Sequence, residues 1–174
     1  VCDIAAIYAD VVGGTYQQGD ELSISYMLAN YGDNDSSDFT LSVRASTDYT
    51  ADDGDAEIDA LAIASLATGD IRNAVDTIII PYSLVPGTYY IGIIAQAPGD
   101  GNPSNDVATD TLPLTVVEGP SCSGDLDGDG DVDQSDLGVL LASYGIDGGG
   151  DLDGDGDTDQ SDLGILLAQY GDPC

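Results

Sequence analysis

From residue 1 to about residue 118, apolar side chains recur at every second position. Leu22, Ile24, Tyr26 and Leu28 alternate with polar or small residues until Asn30-Tyr31-Gly32 ends the run. Phe39, Leu41, Val43 and Ala45 form a second alternating set, and Val75, Thr77 and Ile79 a third that stops before Pro81. A turn at Pro86-Gly87 leads into Thr88 to Ile94, and after a loop from Pro98 to Asn105 the stretch Thr111 to Val117 reads as the last strand. With a first strand near Ile4 to Tyr8, about seven short strands fall within this region. A period of two with frequent turn residues predicts half-buried strands, and that many of them predict an antiparallel β-sandwich.

The period then changes. Residues 119–124, Gly-Pro-Ser-Cys-Ser-Gly, read as a linker. Beyond it, Leu137, Leu140, Leu141 and Tyr144 sit at i, i+3, i+4 and i+7, as do Leu163, Leu166, Leu167 and Tyr170. Each set predicts a helix with one apolar face, closed by Gly145 or Gly171. About three turns are not stable alone, so the two faces are expected to pack on each other. The segment is a duplication. Residues 124–145 align with residues 150–171 at an offset of 26, with 19 of 22 positions identical; the differences are Val132/Thr158, Val139/Ile165 and Ser143/Gln169. The predicted organisation is a sandwich over 1–118, a linker over 119–124 and a small helical module over 125–174.

Charge narrows the function. Asp and Glu number 33 against two basic residues, Arg44 and Arg72, for a net charge of −31, and there is no Lys or His. Such a surface repels nucleic acids and anionic membranes, and no run is long and apolar enough to span a bilayer. A chain without His or Lys also lacks the usual general bases and activated nucleophiles, so the expectation is that it is not an enzyme. The hydrophobic content of 42% excludes an acidic disordered chain. Val at position 1, with no basic, apolar leader before it, reads as the start of a mature exported chain, and Cys2, Cys122 and Cys174 suit an oxidising, extracellular setting.

The acidity of the module has a pattern. Each repeat opens with Asp-Leu-Asp-Gly-Asp-Gly-Asp-x-Asp-Gln-Ser-Asp, placing carboxylates at positions 1, 3, 5, 7, 9 and 12 of a 12-residue loop and Gly at 4 and 6. Calcium takes six to eight oxygens, and a chain curling round an ion presents alternate side chains to it. The expected direct ligands are Asp125, Asp127, Asp129 and Asp136 in the first loop, and Asp151, Asp153, Asp155 and Asp162 in the second. Asp131 and Asp157 would contribute carbonyls, and Asp133 and Asp159 would act directly or through water. Two calcium ions are therefore expected. Pro120 to Gly124 and Gly148-Gly149-Gly150 precede the loops, so each loop has only an exiting helix, unlike an ordinary EF-hand.

A tandem of loop-plus-exiting-helix units resembles the type I dockerins, calcium-dependent modules that attach extracellular proteins to a cohesin partner. The resemblance implies that loop positions 10 and 11, here Gln134-Ser135 and Gln160-Ser161, meet the partner. The basic residues that many dockerins carry later in the helix are replaced by Leu141-Ala142 and Leu167-Ala168. The near-identity of the repeats implies docking in two orientations. If the module's ends meet, as in many dockerins, a Cys122–Cys174 disulfide would close a loop of about 53 residues and contribute roughly 4 kcal/mol; the alternative is two unrelated thiols. Cys2 is then free or paired with another chain.

The first 118 residues are similar to the cell-adhesion-related CARDB domains, immunoglobulin-like sandwiches of bacterial extracellular proteins. The similarity rests on Gly19-Asp20, Asn30-Tyr31-Gly32, Ser46-Thr47-Asp48, Pro86-Gly87-Thr88-Tyr89-Tyr90 and Asn105-Asp106. It implies adhesion or spacing. Two functions follow: a calcium-binding adhesion protein that docks onto another surface protein, or a subunit of a self-assembling fibre in which the module or the strand near Ile4 to Tyr8 engages an identical chain. An accessory role in a polysaccharide-degrading complex ranks below both. A carboxylate glycosidase would need an Asp/Glu pair across a cleft, and none stands out among Glu21, Glu57 and Glu118. Asp48, Asp52, Asp53 and Asp55 form an acidic loop that reads as a solvated turn before it reads as a third calcium site.

Overall fold

The computed structural model describes residues 1–119 and 122–171 and divides the chain into two compact units, Val1–Val117 and Glu118–Cys174. The first holds β1 (Ile4–Val11), β2 (Thr15–Gln17), β3 (Glu21–Asn30), β4 (Phe39–Ser46), β5 (Ala56–Ile63), β6 (Ile71–Ile79), β7 (Gly87–Gln96), β8 (Val107–Thr109) and β9 (Leu114–Val117). One sheet has the order β1-β3-β6 and the other β2-β9-β7-β4-β5, with β8 paired to β7. The N-terminal strand changes sheets: β1 runs antiparallel to β3, and after Val12 to Gly14 the chain resumes as β2, parallel to β9.

Ile4, Leu22, Ile24, Tyr26 and Leu28 from one sheet and Leu41, Val43, Ile91, Ile93 and Leu114 from the other form a common core. Each such aliphatic side chain contributes about 1.5–3 kcal/mol on burial. The alternating sets Leu22 to Leu28 and Phe39 to Ala45 thus point inward, as their period requires. Strands β1, β3 and β6 against β4, β7 and β9 occupy the places of A, B, E and C, F, G in an immunoglobulin-like sandwich. Tyr89, near the start of β7, donates its hydroxyl to the Val85 carbonyl at 2.6 Å, the tyrosine corner of that architecture.

Three features depart from the sequence pattern. In β6 the parity is reversed: Leu22 pairs with Ile78 and Tyr26 with Ala74, which turns Ile78 and Ala74 inward and leaves Val75 65% and Ile79 50% exposed. Ile78-Ile79-Ile80 satisfies either parity, and the register with β3 decides between them. Strands β2, β5 and β8 were not expected; β2 and β8 are three residues long, and β5 is an edge strand with only Ile58 and Ile63 buried, so it carries little alternation. Strand β9 begins at Leu114, after Pro113, which has no N–H for the ladder.

The buried side chain of Asn30 ties down the turn after β3. Its Oδ1 accepts from the N–H groups of Asp3 and Gly32, and its Nδ2 donates to the carbonyls of Asn34 and Leu66. Cys2 is buried and free, with its thiol facing the Pro98 carbonyl at 3.7 Å. The expected alternative of a bridge from Cys2 to another chain therefore requires this end of the sandwich to open.

The second unit contains α1 (Gln134–Ser143) and α2 (Gln160–Gln169). Val132, Leu140 and Leu166 are its fully buried core, surrounded by Cys122, Leu126, Leu137, Leu152 and Leu163. The expected apolar face is thus only half used. Leu141 and Leu167 are 53% and 54% exposed, and Tyr144 and Tyr170 are exposed as well. Two ten-residue helices offer too narrow a contact to cover i+4 and i+7, and loop position 8 fills the core instead. Residues read as linker join this unit: Gly124 is buried and its N–H donates to Gln169 Oε1 at 2.9 Å. Cys122 is not free, and Cys174, its expected partner, lies outside the described residues.

Candidate metal centre

Each acidic loop winds its carboxylates round the first turn of the helix that follows. Gly130 and Gly156 adopt φ of +99° and +103°, a left-handed turn that a Cβ would strain, and so reverse the chain after position 5. Position 12 then meets the start of the loop. Asp136 is fully buried; its Oδ1 accepts from the N–H groups of Leu126 at 2.7 Å and Asp127 at 3.1 Å, and its Oδ2 from that of Asp133 at 2.8 Å. Asp162 repeats the arrangement with Leu152, Asp153 and Asp159 at 2.7, 3.2 and 2.7 Å.

Around these nodes, oxygens of Asp125, Asp127 and Asp136 lie within 4.8 Å of one another, as do those of Asp131, Asp133 and Asp136. The second loop forms the same two groups, Asp151, Asp153 and Asp162, and Asp157, Asp159 and Asp162. All four could hold a metal ion, and each loop's two groups share its position-12 carboxylate. Asp129 and Asp155 stand outside the four groups, accepting instead from the N–H groups of Asp131 and Asp157. Asp131 and Asp157, expected to offer carbonyls, bring side-chain oxygens into the clusters.

The electrostatics follow from the crowding. Desolvation, with the charges of neighbouring aspartates, pushes the carboxyls of Asp127, Asp131 and Asp153 up, and for Asp157 the charge of Asp155 is the largest cause. Burial also pushes Asp136 up, but the N–H groups of Asp133, Asp127 and Leu126 outweigh it and hold the carboxyl below its ordinary range. Asp162 is held down in the same way, by the Asp159 N–H first. Each loop therefore has one anchored carboxylate at its centre and several that gain from a cation beside them. Oxygen-only groups of this kind suit a hard cation.

Asp133 and Asp159 have a second task. Each is the N-cap of its helix, accepting from the N–H of Ser135 or Ser161 at 2.6 Å, while Asp136 or Asp162 at N3 completes a capping box. The sequence carries this signal as Asp-x-x-Asp ahead of an apolar run, hidden within the loop motif. Gln134, Ser135, Gln160 and Ser161 open the two helices and are exposed.

In the sandwich, the acidic loop folds on itself. Asp48 accepts from the Thr50 N–H, Asp52 from the Gly54 N–H and Asp55 from the Asp52 N–H, and Arg44 lies 3.0 Å from Glu57 and 3.7 Å from Asp53. The sequence pointed to Asp106 only as part of the turn Asn105-Asp106, not as a site residue; it is buried with its Oδ1 unpartnered. Burial, then the charges of Asp100 and Asp3, push its carboxyl up to about 6.

No protein-family model matches the chain, and no curated protein does. Among solved structures, a domain of a candidate cell surface protein from Methanosarcina acetivorans matches 67% of this chain and 93% of its own at 16% identity and a TM-score of 0.47. A CARDB domain from Pyrococcus furiosus, in complex with di-metal ions, matches 68% of this chain and 96% of its own at 13% identity and a TM-score of 0.47. A β-glucosidase from Listeria innocua matches 68% of this chain but 16% of its own, at 11% identity and a TM-score of 0.42.

Proposed function

We propose that this chain is a non-catalytic extracellular adhesion or spacer protein whose C-terminal unit folds around two calcium ions and docks, as dockerins do, onto a protein partner. One observation carries the reading: in both repeats a buried position-12 carboxylate is held by three backbone N–H groups at the meeting point of two carboxylate groups. A cation there offsets repulsion that no Lys or Arg of the unit answers. The docking surface comprises Gln134, Ser135 and Leu141 and their counterparts Gln160, Ser161 and Leu167, exposed residues that repeat at an offset of 26. A Cys122–Cys174 bridge would fasten the ends of this unit. Against catalysis, Glu57 is engaged by Arg44 and the Ser42 hydroxyl.

Circular dichroism with calcium and then with chelator tests the metal reading. Helicity gained with calcium supports it, and helicity indifferent to both sinks it. A second reading, assembly into a fibre, is favoured by β6, an edge strand without Lys or Pro that exposes Ile71, Val75 and Ile79. Sedimentation of the purified protein with calcium separates the two, since docking predicts a monomer and fibre assembly a polymer. For β1 to serve as the donated strand, it would first have to leave β3.

A further inference from the structure

A cavity of about 500 Å3 in the sandwich is lined on one wall by Asp100 and Asp106, from the loop between β7 and β8, and on the other by Asp52 and Asp53, from the loop between β4 and β5. Asp106 is 9% exposed, and its Oδ1 has no hydrogen-bond partner. Its neighbour Asn105 holds a second buried, unpartnered oxygen, Oδ1. The amide orientation of Asn105 is fixed independently, because its Nδ2 donates to Asp3 Oδ1 at 2.9 Å. Both orphan atoms are therefore true acceptors, and each calls for a donor or a cation.

The surroundings favour the cation. Asp3 and Asp100 add negative charge beside Asp106. Arg44, the basic side chain nearest the far wall, is engaged by Glu57 and by the Asp55 carbonyl and reaches Asp53 at 3.7 Å. The loop is also held in place: Asp100 accepts from the N–H of Ile4 at 2.6 Å and of Asn102 at 2.7 Å, and Gly101 donates to the Cys2 carbonyl. The N-terminal segment thus clamps a set of oxygen ligands that is not built to close on itself.

We propose that this loop forms a calcium site of the sandwich, with Asp106 Oδ1 as its inner ligand and Asp100 beside it in the cavity lining. Asp52 lines the same cavity and adds charge, while Asp53 is shared with Arg44. The irregular spacing of oxygens from two loops, with room for water to complete the shell, suits calcium better than magnesium, which demands a near-octahedral set. The site depends on no residue of the C-terminal unit.

The test is equilibrium dialysis of the full chain against calcium chloride, with bound metal counted by atomic absorption. The wild-type protein is expected to bind one ion more than Asp106→Asn, a near-isosteric change. Asp100→Asn is expected to weaken that same ion by on the order of tenfold, as the ligand charge falls. Three ions falling to two supports both this site and the C-terminal pair, whereas one falling to none supports this site and removes the pair. Equal stoichiometry in wild type and Asp106→Asn overturns the proposal. So does an Asp106→Asn protein that loses calcium only because its β-sheet circular dichroism is lost while Asp100→Asn binds like the wild type.

Discussion

The N–H of Gly145, just past α1, donates to the carbonyl of Thr158 in the second acidic loop at 2.8 Å. Its counterpart Gly171, past α2, donates to Val132 in the first loop, also at 2.8 Å. Each helix thus ends on the other repeat's loop, and Val132 and Thr158 are both fully buried. Each loop is tied by a backbone hydrogen bond to the end of the other repeat's helix, so the two candidate metal sites are linked through backbone bonds.

Asp136→Asn should therefore weaken both ions. Within its own loop the change removes a charge common to two carboxylate groups, and a loss on the order of 10- to 100-fold is expected as ligand charge falls. The second loop, chemically intact, should lose several-fold through the Gly145–Thr158 link. Calorimetric titration of the variant checks this. A second site of unchanged affinity would show that the repeats bind independently.

Leu140 and Leu141 are adjacent in sequence but differ in burial. Leu140 is fully buried between the helices and Leu141 is 53% exposed. Leu140→Ala should cost about 2–5 kcal/mol of the calcium-loaded unit's stability, and Leu141→Ala within about 0.5 kcal/mol of nothing. Thermal unfolding followed in the helical circular dichroism band measures both. If Leu141 docks a partner, its replacement alters binding without altering the melting temperature.

Tyr26 is fully buried and donates its hydroxyl to Asp76 at 2.7 Å. Burial first, then the Asp76 hydrogen bond and charge, push its pKa up to about 12. The folded value lies above the unfolded one, near 10, so this contribution is complete below about pH 10 and is lost as pH rises through about 12. Denaturant midpoints should fall across that window, and Tyr26→Phe should flatten the fall. At neutral pH the same variant should cost roughly 1–3 kcal/mol, because Asp76 loses its donor.

Much of this was legible in residue spacing. The alternate spacing of carboxylates anticipated the gathering of Asp125, Asp127 and Asp136 and of their counterparts, but not that Asp129 and Asp155 stand outside the groups. The Leu22 to Leu28 run named a core strand by its period of two. What could not be read depended on partners distant in sequence. The inward face of β6 was set by the pairing of Leu22 with Ile78, since Ile78-Ile79-Ile80 is ambiguous by itself. The exposure of Leu141 followed from how little area two short helices share. Asp106 stood out only within the Asn105-Asp106 turn; the burial of its side chain depends on contacts between segments distant in sequence.

The few differences between the repeats supply the sharpest test of their packing. In the second repeat, the buried N–H of Gly150 donates to the Thr158 hydroxyl at 3.1 Å, which itself donates to the Asp147 carbonyl at 2.7 Å. The first repeat has Val132 in that place, whose side chain cannot accept, and the equivalent N–H of Gly124 donates instead to Gln169 Oε1 at 2.9 Å. The substitutions at 132/158 and 143/169 are therefore two solutions to one requirement, a partner for a buried N–H. Gln169→Ala should leave Gly124 unpaired and cost about 1–3 kcal/mol. Val132→Thr places a hydroxyl where Thr158 has one and should cost about 1 kcal/mol alone, but should recover most of the loss when combined with Gln169→Ala. A double-mutant cycle by chemical denaturation, with calcium held constant, reads the coupling; strict additivity would show that Gln169 and position 132 do not serve the same N–H.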